Sequence, residues 1–398
     1  MRSLFNIGNK IKPFDKGFII EVNTALAGVS ASNQFQFTGA VGEYDVKAYQ
    51  NGSLVASFND LVNEETITLP SAGIYELRCI IKPAGFNKMT FANGGDRLKL
   101  LKILNWGSYG VNEPDQTNAF RGCENNTEIA GNGAWFDVVT SGLGMFFNNS
   151  LTSLPSGMNL PLLTSGLGMF FNNSLTSLPS GMNLPLLTNG FNMFANNNLT
   201  SLPSGMNLPL LTVGGTMFSN NNLTSLPTGM NLPLLTGGFE MFFSNNLTSL
   251  PVGMNLPLLT GGFNMFLNNS LTSLPVGMNL PLLTNGFNMF RNNNLTSLPS
   301  GMDLPLLEVA NSMFFNNNLT LLPIGMNLPM LTNGTNIFTG NTITTERYSQ
   351  LLINLESNNN NNNVSFNGGN SKYNAQGEIA RNALIARGWT IIDGGLEN

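Results

Sequence analysis

Residues 141 to 340 contain few groups able to do acid, base or ionic chemistry. Glu240, Asp303 and Glu308 are the acids of this region, and Arg291 is its one basic residue. A glycosidase requires two carboxylates that face each other across a groove, which Asp303 with Glu308, or a flanking domain, could supply. The chain contains no histidine, so the familiar catalytic triads, imidazole bases and histidine metal sites are excluded. We expect a protein that is not an enzyme, with no catalytic residue, metal site or cofactor.

The two cysteines, Cys79 and Cys123, are the remaining candidates for a strong nucleophile. A catalytic cysteine needs an activating base near its thiol. The sequence around each cysteine suggests no such base, and two cysteines do not make a disulfide framework. We expect both to be small buried side chains.

A 24-residue repeat dominates the chain and must position any functional residue within it. Residues 141–164 read SGLGMFFNNSLTSLPSGMNLPLLT, and residues 165–188 repeat these letters without a change. One methionine marks each of eight units, and Ile337 continues the series: Met145, Met169, Met193, Met217, Met241, Met265, Met289 and Met313. Such a period indicates stacked units that contact only their neighbours. It predicts a solenoid over residues 141–342, with eight full units and a terminal fragment.

Positions that do not change between units are predicted to form the core and the turns. Leu151 and Leu154 are expected to point inward from a strand that ends at Pro155. Phe146 and its equivalents, as far as Phe338, are expected to form a buried series. Burial of the apolar side chains of one unit, about seven in number, stabilises it by about 1.5 to 3 kcal/mol each. Ordering about 24 residues costs about 1.5 kcal/mol per residue, which is more than this burial supplies. Contacts between units must therefore stabilise the array.

An asparagine recurs at one position of every unit: Asn149, Asn173, Asn197, Asn221, Asn245, Asn269, Asn293, Asn317 and Asn341. We expect these amides to stack at one corner, where they satisfy each other and the turning backbone. A role in ligand binding is the alternative.

Two positions vary between otherwise similar units, and they are candidate ligand-binding positions because stacking has not fixed their residue type. The candidates at one position are Phe147, Phe171, Phe243, Leu267, Arg291 and Phe315. The candidates at the other are Asn192, Glu240, Asn264 and Asn288. Hydrogen bonds from Asn, Thr and Ser, with stacking on exposed rings, would hold a polar ligand. The alternative is that residue types drift at these positions because they lie on a solvated face without a function. The same two interpretations apply to the Thr152 and Ser153 positions of the units.

The segments before the repeats predict a separate β structure. Residues 17–85 contain six β-rich runs and a two-residue hairpin signal at Asn51-Gly52, which together predict a β-sandwich. Residues 1–16 are interpreted as an anchor segment. Residues 86–140 are interpreted as a connector and a degenerate capping repeat.

The segment after the repeats, residues 343–398, predicts a cap that covers the end of the array. Apolar residues at helical spacing begin at Tyr348 and again at Ile379, and predict two helices. Residues 389–392 predict a last short strand.

The distribution of charge and of apolar residues bears on the partners. Phosphate binding needs a basic stripe, which the array lacks, so we expect no nucleic-acid partner. No run is long and apolar enough to span a membrane, and residues 1–17 lack the apolar core of a secretory signal. A surface protein without an export signal is expected on a virion, because lysis releases particles without secretion. A leaderless or fragmentary chain is the alternative.

The motifs resemble those of a known family. Ala119-Phe120-Arg121-Gly122-Cys123, followed by units of Met-Phe-x-x-Asn-x-Leu-Thr-Ser-Leu-Pro, resembles the Ala-Phe-x-x-Cys and Leu-Thr-Ser-x-x-x-Pro pattern of BspA-like leucine-rich-repeat surface proteins. Residues 367–373 and 388–395 are similar to the closing module of such proteins, including versions encoded by tailed phages. The resemblance implies attachment through a protein or glycan surface, and it supplies no catalytic residues. The chain departs from the family in using Met-Phe and Asn-Asn where Ala-Phe and Cys are usual.

Together these observations predict a mainly β fold, with a β-sandwich, a leucine-rich-repeat solenoid and a small α/β cap. They favour a non-enzymatic bacteriophage fibre or receptor-binding protein in the virion. Its expected partners are a host cell-surface glycan or protein and, through the N-terminal region, other virion proteins, with a homo-oligomer also open. A bacterial surface adhesin, a structural spacer or decoration protein, and a capsule depolymerase are the competing interpretations.

Overall fold

Two β-sheets form the N-terminal region. The computed structural model describes residues 17–82 and 88–397, so the predicted anchor segment lies outside the described residues. The strands are β1 (Phe18–Asn23), β2 (Gln34–Gln36), β3 (Glu43–Gln50), β4 (Ser53–Val62), β5 (Thr66–Thr68), β6 (Ile74–Ile81), β7 (Leu100–Asn105) and β8 (Glu128–Ile129). β2 and β5 pair as a two-stranded sheet, and the other six form a sheet in the order β4-β3-β6-β1-β7-β8.

The six β-rich runs predicted from residues 18 to 82 are confirmed as strands. In β1, Phe18, Ile20 and Val22 are buried and alternate with half-buried residues, as expected of a strand with one face on a core. Asn51 and Gly52 join β3 to β4 with φ of 51° and 77°. Both angles are positive, as the tight hairpin turn requires.

Residues 141–332 form eight 24-residue units in register, which we call the repeat stack. Isolated parallel bridges connect equivalent residues of successive units, from Ser141 with Ser165 to Val309 with Asn333. The invariant phenylalanine rings stack between units, and the ring centroids of Phe170 and Phe194 lie 5.5 Å apart. These rings and the methionines before them are buried, which confirms their predicted place in the core.

The predicted class, a mainly β leucine-rich-repeat solenoid, is wrong. Among the described residues no strand lies between β8 and residue 333, and isolated bridges replace strand ladders between the units. Residues with positive φ, such as Asn148 at 52°, interrupt the extended backbone in every unit. In the segment predicted as a strand, the bond from the Thr176 nitrogen to the Thr152 oxygen is long, at 3.4 Å, and Pro155 has no N–H to continue a ladder. The chain instead combines β-sheets, a turn-rich middle and a small α/β end.

The C-terminal region contains the two α-helices of the described residues. Its elements are β9 (Asn333–Gly334), α1 (Thr345–Asn358), β10 (Ser365–Asn367), α2 (Ala375–Ala386) and β11 (Thr390–Ile392), and the three strands form a parallel sheet in the order β11-β10-β9. Both predicted helices and the last strand are confirmed. No helix in the described ranges is long and apolar enough to cross a membrane.

The apolar spacing that begins at Ile379 does not mark the buried face of α2. Ile379 is exposed, and Gly377, Ala380 and Leu384 are the buried residues. Gly377 sets this orientation because a Cβ atom there would come within 2.8 Å of Ser349 Oγ on α1. The two helices therefore meet at a glycine rather than at the larger apolar side chain.

The phenylalanine column joins the three parts of the molecule in one core. Trp106 contacts Phe120 with centroids 5.7 Å apart, and Phe120 stacks on Phe146 at 5.6 Å. Two 3-10 helices, Arg97–Lys99 and Ala134–Asp137, lie in this connecting region. At the other end, Phe338 contacts Phe366 of β10.

Candidate ligand-binding face

The first eight residues of each unit form a turn on one side of the repeat stack. We number positions from Ser141, so that Gly144 is at position 4 and Phe147 is at position 7. The Phe147 nitrogen donates to the Gly144 oxygen at 3.2 Å, and this bond brings positions 4 and 7 together. Positions 4 and 8 have positive φ throughout, for example 59° at Asn192 and 56° at Asn196. We call the surface of positions 3, 4, 7 and 8 the turn face.

The structure places both variable series on this turn face. Eight of the ten candidates are half-buried: Phe147, Phe171, Phe243, Leu267, Arg291, Phe315, Asn192 and Glu240. Asn264 and Asn288 are buried, with 9% and 8% of their surface exposed. The two series predicted separately from the sequence are therefore neighbours on one surface.

Side chains at position 4 form a hydrogen-bond ladder along three units. Asn264 Nδ2 donates to Glu240 Oε1 at 3.0 Å, and Asn288 Nδ2 donates to Asn264 Oδ1 at 3.0 Å. Arg291 approaches the far end of the ladder, with its guanidinium 3.5 Å from Asn288 Oδ1. The ladder therefore carries a carboxylate at one end and a guanidinium at the other.

Most residues at position 4 are Gly or Asn, which the backbone prefers, but Thr216, Glu240 and Ser312 are not. The left-handed conformation is least costly for Gly, followed by Asn and Asp. Thr216 and Glu240 nevertheless hold φ of 55° and 51°. A non-glycine residue in this region costs on the order of 1 kcal/mol or more. The strain at Glu240 points to a surface role for its side chain, since drift alone would favour Asn or Gly.

Aromatic rings at position 7 are already in contact with other side chains. Phe147 stacks on Phe171 with centroids 4.6 Å apart, and the Arg121 guanidinium lies 4.1 Å from the Phe147 centroid. Arg291 covers Phe315 at 4.4 Å. The expectation that these rings offer open faces for stacking is therefore wrong for these rings. Cation–π contacts and ring stacking between units occupy the faces instead.

A third column, at position 3, was not among the sequence candidates. Phe239, Phe263 and Phe287 stack with centroid distances of 5.2 and 4.9 Å, and Phe239 is 41% exposed. The signal was present, because position 3 also varies, from Leu167 through Gly215 to these phenylalanines. Units 237 to 308 therefore combine an aromatic column with the Glu240–Asn288 ladder.

No protein-family model matches the chain, and a search of curated proteins finds no match. The function of the turn face must be inferred from its own chemistry. Amides and a carboxylate offer hydrogen-bond donors and acceptors, and the exposed ring edges carry partial positive charge. Within residues 17–82 and 88–397, no cluster of three His, Cys, Asp or Glu could hold a metal ion.

A buried cluster in the N-terminal region resembles a Ser-Lys nucleophile pair, but its hydrogen bonds assign it a structural role. Lys99 Nζ donates to Ser30 Oγ at 2.7 Å and to the backbone oxygens of Ser30, Ala31 and Gln34. Asp96, fully buried beside Lys99, accepts hydrogen bonds from the backbone and hydroxyl of Ser30. These bonds hold the Ser30 loop, and the Ser30 hydroxyl donates to Asp96 and accepts from Lys99, so it is not oriented to donate to Lys99.

The two cysteines are free and buried, as predicted. Burial in apolar surroundings raises the pKa of the Cys79 thiol well above its usual range. Burial likewise raises the pKa of Cys123, against the opposing effect of the Arg97 charge. Neither environment favours the reactive thiolate.

The asparagines at position 9 hold the units together rather than a ligand. Asn197 Oδ1 accepts from the Leu175 nitrogen at 3.0 Å, and Asn197 Nδ2 donates to the Phe170 oxygen at 2.9 Å, both in the preceding unit. The predicted bonding to the turning backbone is therefore confirmed. The predicted bonding of these amides to each other is wrong: from Asn173 to Asn341 they bond backbone groups, and Asn126, which donates to Asn149, precedes the series. The Thr152 and Ser153 side chains are exposed.

Proposed function

We propose that this protein is a non-enzymatic attachment protein, which binds a neutral, hydroxyl-rich ligand such as a cell-surface glycan through its turn face. The observation that carries the proposal is Glu240, held in a left-handed backbone at the end of an amide ladder. Its side chain is retained at a cost to stability, as residues at binding sites often are. The bound segment is proposed to be units 237 to 308, where the ladder and the aromatic column coincide.

The chemistry of this segment suits a glycan. Sugar hydroxyls both donate and accept hydrogen bonds, and amide side chains offer both partners. The ring edges of the Phe239 column supply apolar contact with partial positive charge. The face is open and extends along the repeat stack, so it suits a long chain better than a small molecule that needs a closed pocket.

The proposed carrier of this surface is a bacteriophage virion, where it would contact the host during adsorption. This part of the proposal depends on the resemblance of residues 367–373 and 388–395 to the closing module found in tailed-phage proteins. The proposed partners are a host surface glycan, or alternatively a surface protein, and other virion proteins through the N-terminal region. A bacterial adhesin is the runner-up, and capsid and tail genes beside the coding gene would separate the two.

The proposal is tested by the binding of the purified full chain to susceptible cells and to their isolated surface polysaccharide. We expect binding that persists as salt is raised, because few charges are available to be screened. The polysaccharide should keep its viscosity and its number of reducing ends, whereas a fall in viscosity would identify a depolymerase. Absence of binding to cells and polysaccharide would contradict the proposal and favour a structural spacer.

A contact test uses the position 7 residues that the sequence analysis selected. Replacing Phe243, Leu267 and Arg291, the position 7 residues of units 237 to 308, together by alanine should weaken binding at least tenfold. The matched control replaces Phe147 and Phe171, which hold the same position outside units 237 to 308. Equal losses in both variants would contradict the assignment of the binding segment.

A further inference from the structure

A second surface of the repeat stack carries an apolar stripe that the turn face does not include. Position 22 of every unit is a leucine or methionine, and each keeps between 37% and 45% of its surface exposed: Leu162, Leu186, Leu210, Leu234, Leu258, Leu282, Leu306 and Met330. We call these eight side chains the leucine stripe. Single exposed leucines are ordinary, but a continuous apolar strip on a monomer requires an explanation.

The leucine stripe stays apolar while several other surface positions of the units change residue type. Position 16 changes from Ser156 to Val252 and Ile324, and position 7 changes from phenylalanine to arginine. Position 22 stays apolar through the same units. The recent duplication of the first two units does not explain this, because the variable positions diverged in the units that follow.

We propose that the leucine stripe is the interface of a homodimer, with the stripe of a second copy packed against it. The spacing supports this occupant. Successive stripe residues are separated by the rise of one unit, near the 5.5 Å between the Phe170 and Phe194 rings. A second copy presents the same apolar side chains at the same spacing, so every leucine meets a partner when the two stripes overlap.

The area of the leucine stripe is compatible with a dimer. Eight large side chains, each about 40% exposed, present on the order of 500 Å² of contiguous apolar surface. Two copies would then bury roughly 1,000 Å², the lower bound for a specific interface. We therefore expect a dimer with a dissociation constant in the micromolar range rather than an obligate one.

Charge selects the antiparallel arrangement of the two copies. Asp303 and Glu308 flank Leu306 and are exposed, and they are the charged residues of the repeat stack nearest in sequence to the stripe. In a parallel dimer in register, Asp303 and Glu308 would lie beside the equivalent acids of the second copy. In the antiparallel dimer with full overlap, the two-fold axis lies between Leu234 and Leu258. Unit 285–308 then faces the neutral unit 165–188 of the second copy.

The first test measures molar mass against concentration by analytical ultracentrifugation of the full chain. Leu210→Asn with Leu234→Asn should shift the protein to monomer at concentrations where the wild type is dimeric. The matched control, Val252→Asn with Val276→Asn, removes side chains that are 90% and 88% exposed at position 16 and should leave the dimer intact. A monomeric wild type at all concentrations, or dissociation of both variants alike, would overturn the proposal.

The second test adds charge without removing a leucine, so it does not depend on how the stripe variants fold. Asn183 is exposed at position 19 of unit 165–188, which faces Asp303 and Glu308 of the second copy in the antiparallel dimer. Asn183→Lys should tighten dimerisation several-fold at low salt and lose this effect at high salt. Asn207 lies one unit along, is also exposed and faces a neutral unit. Asn207→Lys should therefore change the strength of dimerisation little. No difference between these variants would overturn the antiparallel arrangement.

Discussion

The side-chain amide of Asn173 donates a 2.9 Å hydrogen bond to the backbone oxygen of Phe146, one repeat earlier. Its oxygen accepts a 3.0 Å bond from the nitrogen of Leu151, in the same preceding unit. The same amide also donates to the Phe170 oxygen of its own unit at 3.2 Å. A single buried side chain thus satisfies backbone groups in two units, and its equivalents do the same along the repeat stack. This amide adds to the backbone hydrogen bonds that join adjacent units, such as the one from the Phe146 nitrogen to the Met169 oxygen at 2.8 Å.

We predict that Asn197→Ala destabilises the protein more than a change at either neighbouring asparagine. The substitution leaves the Leu175 nitrogen without its partner inside the core, and the Phe170 oxygen keeps only the 3.2 Å bond from Asn173. Each unsatisfied buried group costs about 1 to 3 kcal/mol. Chemical denaturation gives the free energy of unfolding, and Asn198→Ala, at an exposed position, is the control. Equal effects would show that the position 9 amide is not a structural link.

The invariant phenylalanine column predicts a contrast between adjacent residues. Phe242 is fully buried, so Phe242→Ala should create a cavity and cost about 3 to 5 kcal/mol. Phe243 is half-buried on the turn face, and Phe243→Ala should cost much less. Thermal unfolding of the two variants beside the wild type measures the difference. A larger loss of stability for Phe243→Ala than for Phe242→Ala would contradict the assignment of Phe242 to the core.

Copy number should be adjustable by whole units. Deletion of Ser165–Thr188 removes one period and joins position 24 to position 1, so the stacking register is preserved. We expect a folded protein that is shorter by about 5.5 Å, the ring separation of one unit, as measured by small-angle X-ray scattering. Deletion of residues 165–176, half a period, should unfold or aggregate. A folded half-period variant together with an unfolded whole-period variant would contradict the modular account.

Alkaline pH should destabilise the protein through its buried thiols. The pKa values of Cys79 and Cys123 are raised by burial, whereas an unfolded thiol ionises near about 8.5. A group with a raised native pKa stabilises fully below its unfolded pKa, and this contribution declines as pH rises beyond it. Between pH 7.5 and 9.5, ionisation of the two thiols in the unfolded chain should lower the free energy of unfolding by about 2 to 3 kcal/mol. The Cys79→Ala, Cys123→Ala double variant should lack this decline, and an identical decline in both proteins would contradict the prediction.

Much of the fold followed from local patterns in the sequence. The strand alternation at Phe18, the hairpin at Asn51 and the helical spacing at Tyr348 each predicted the element found there. The strand predicted at Leu151 failed for a physical reason. The bond from the Thr176 nitrogen to the Thr152 oxygen is long, at 3.4 Å, and Pro155 has no N–H to extend a ladder, which a repeated leucine pattern does not reveal.

The candidate site was only partly predictable. Variation between units correctly grouped positions that lie together on the turn face. It did not show that the Phe147 ring face is covered by Arg121, because their contact depends on the spacing between units. The Phe239 column was missed although its position also varies. The orientation of α2 depended on the contact between Gly377 and Ser349, which lie in different helices.

Glu240 gives a prediction in which stability and function change in opposite directions. Glu240→Asn relieves the left-handed strain and should stabilise the protein by about 0.5 to 1 kcal/mol. The same variant should bind host cells more weakly, because the carboxylate at the end of the ladder is lost. Asn192→Gly, at the same position outside the proposed segment, is the control. Stabilisation with unchanged binding would assign Glu240 to neutral drift.

The most direct measurement is the affinity of the full chain for host cells when the position 3 aromatics are removed. One variant combines Phe239→Ala, Phe263→Ala and Phe287→Ala. The control variant combines Leu143→Ala and Leu167→Ala, which lie at the same position near the other end of the repeat stack. Circular dichroism confirms that both variants are folded before they are compared. We predict a dissociation constant at least tenfold higher for the phenylalanine variant and an unchanged dissociation constant for the leucine control. Unchanged affinity in the folded phenylalanine variant would contradict attachment through this face.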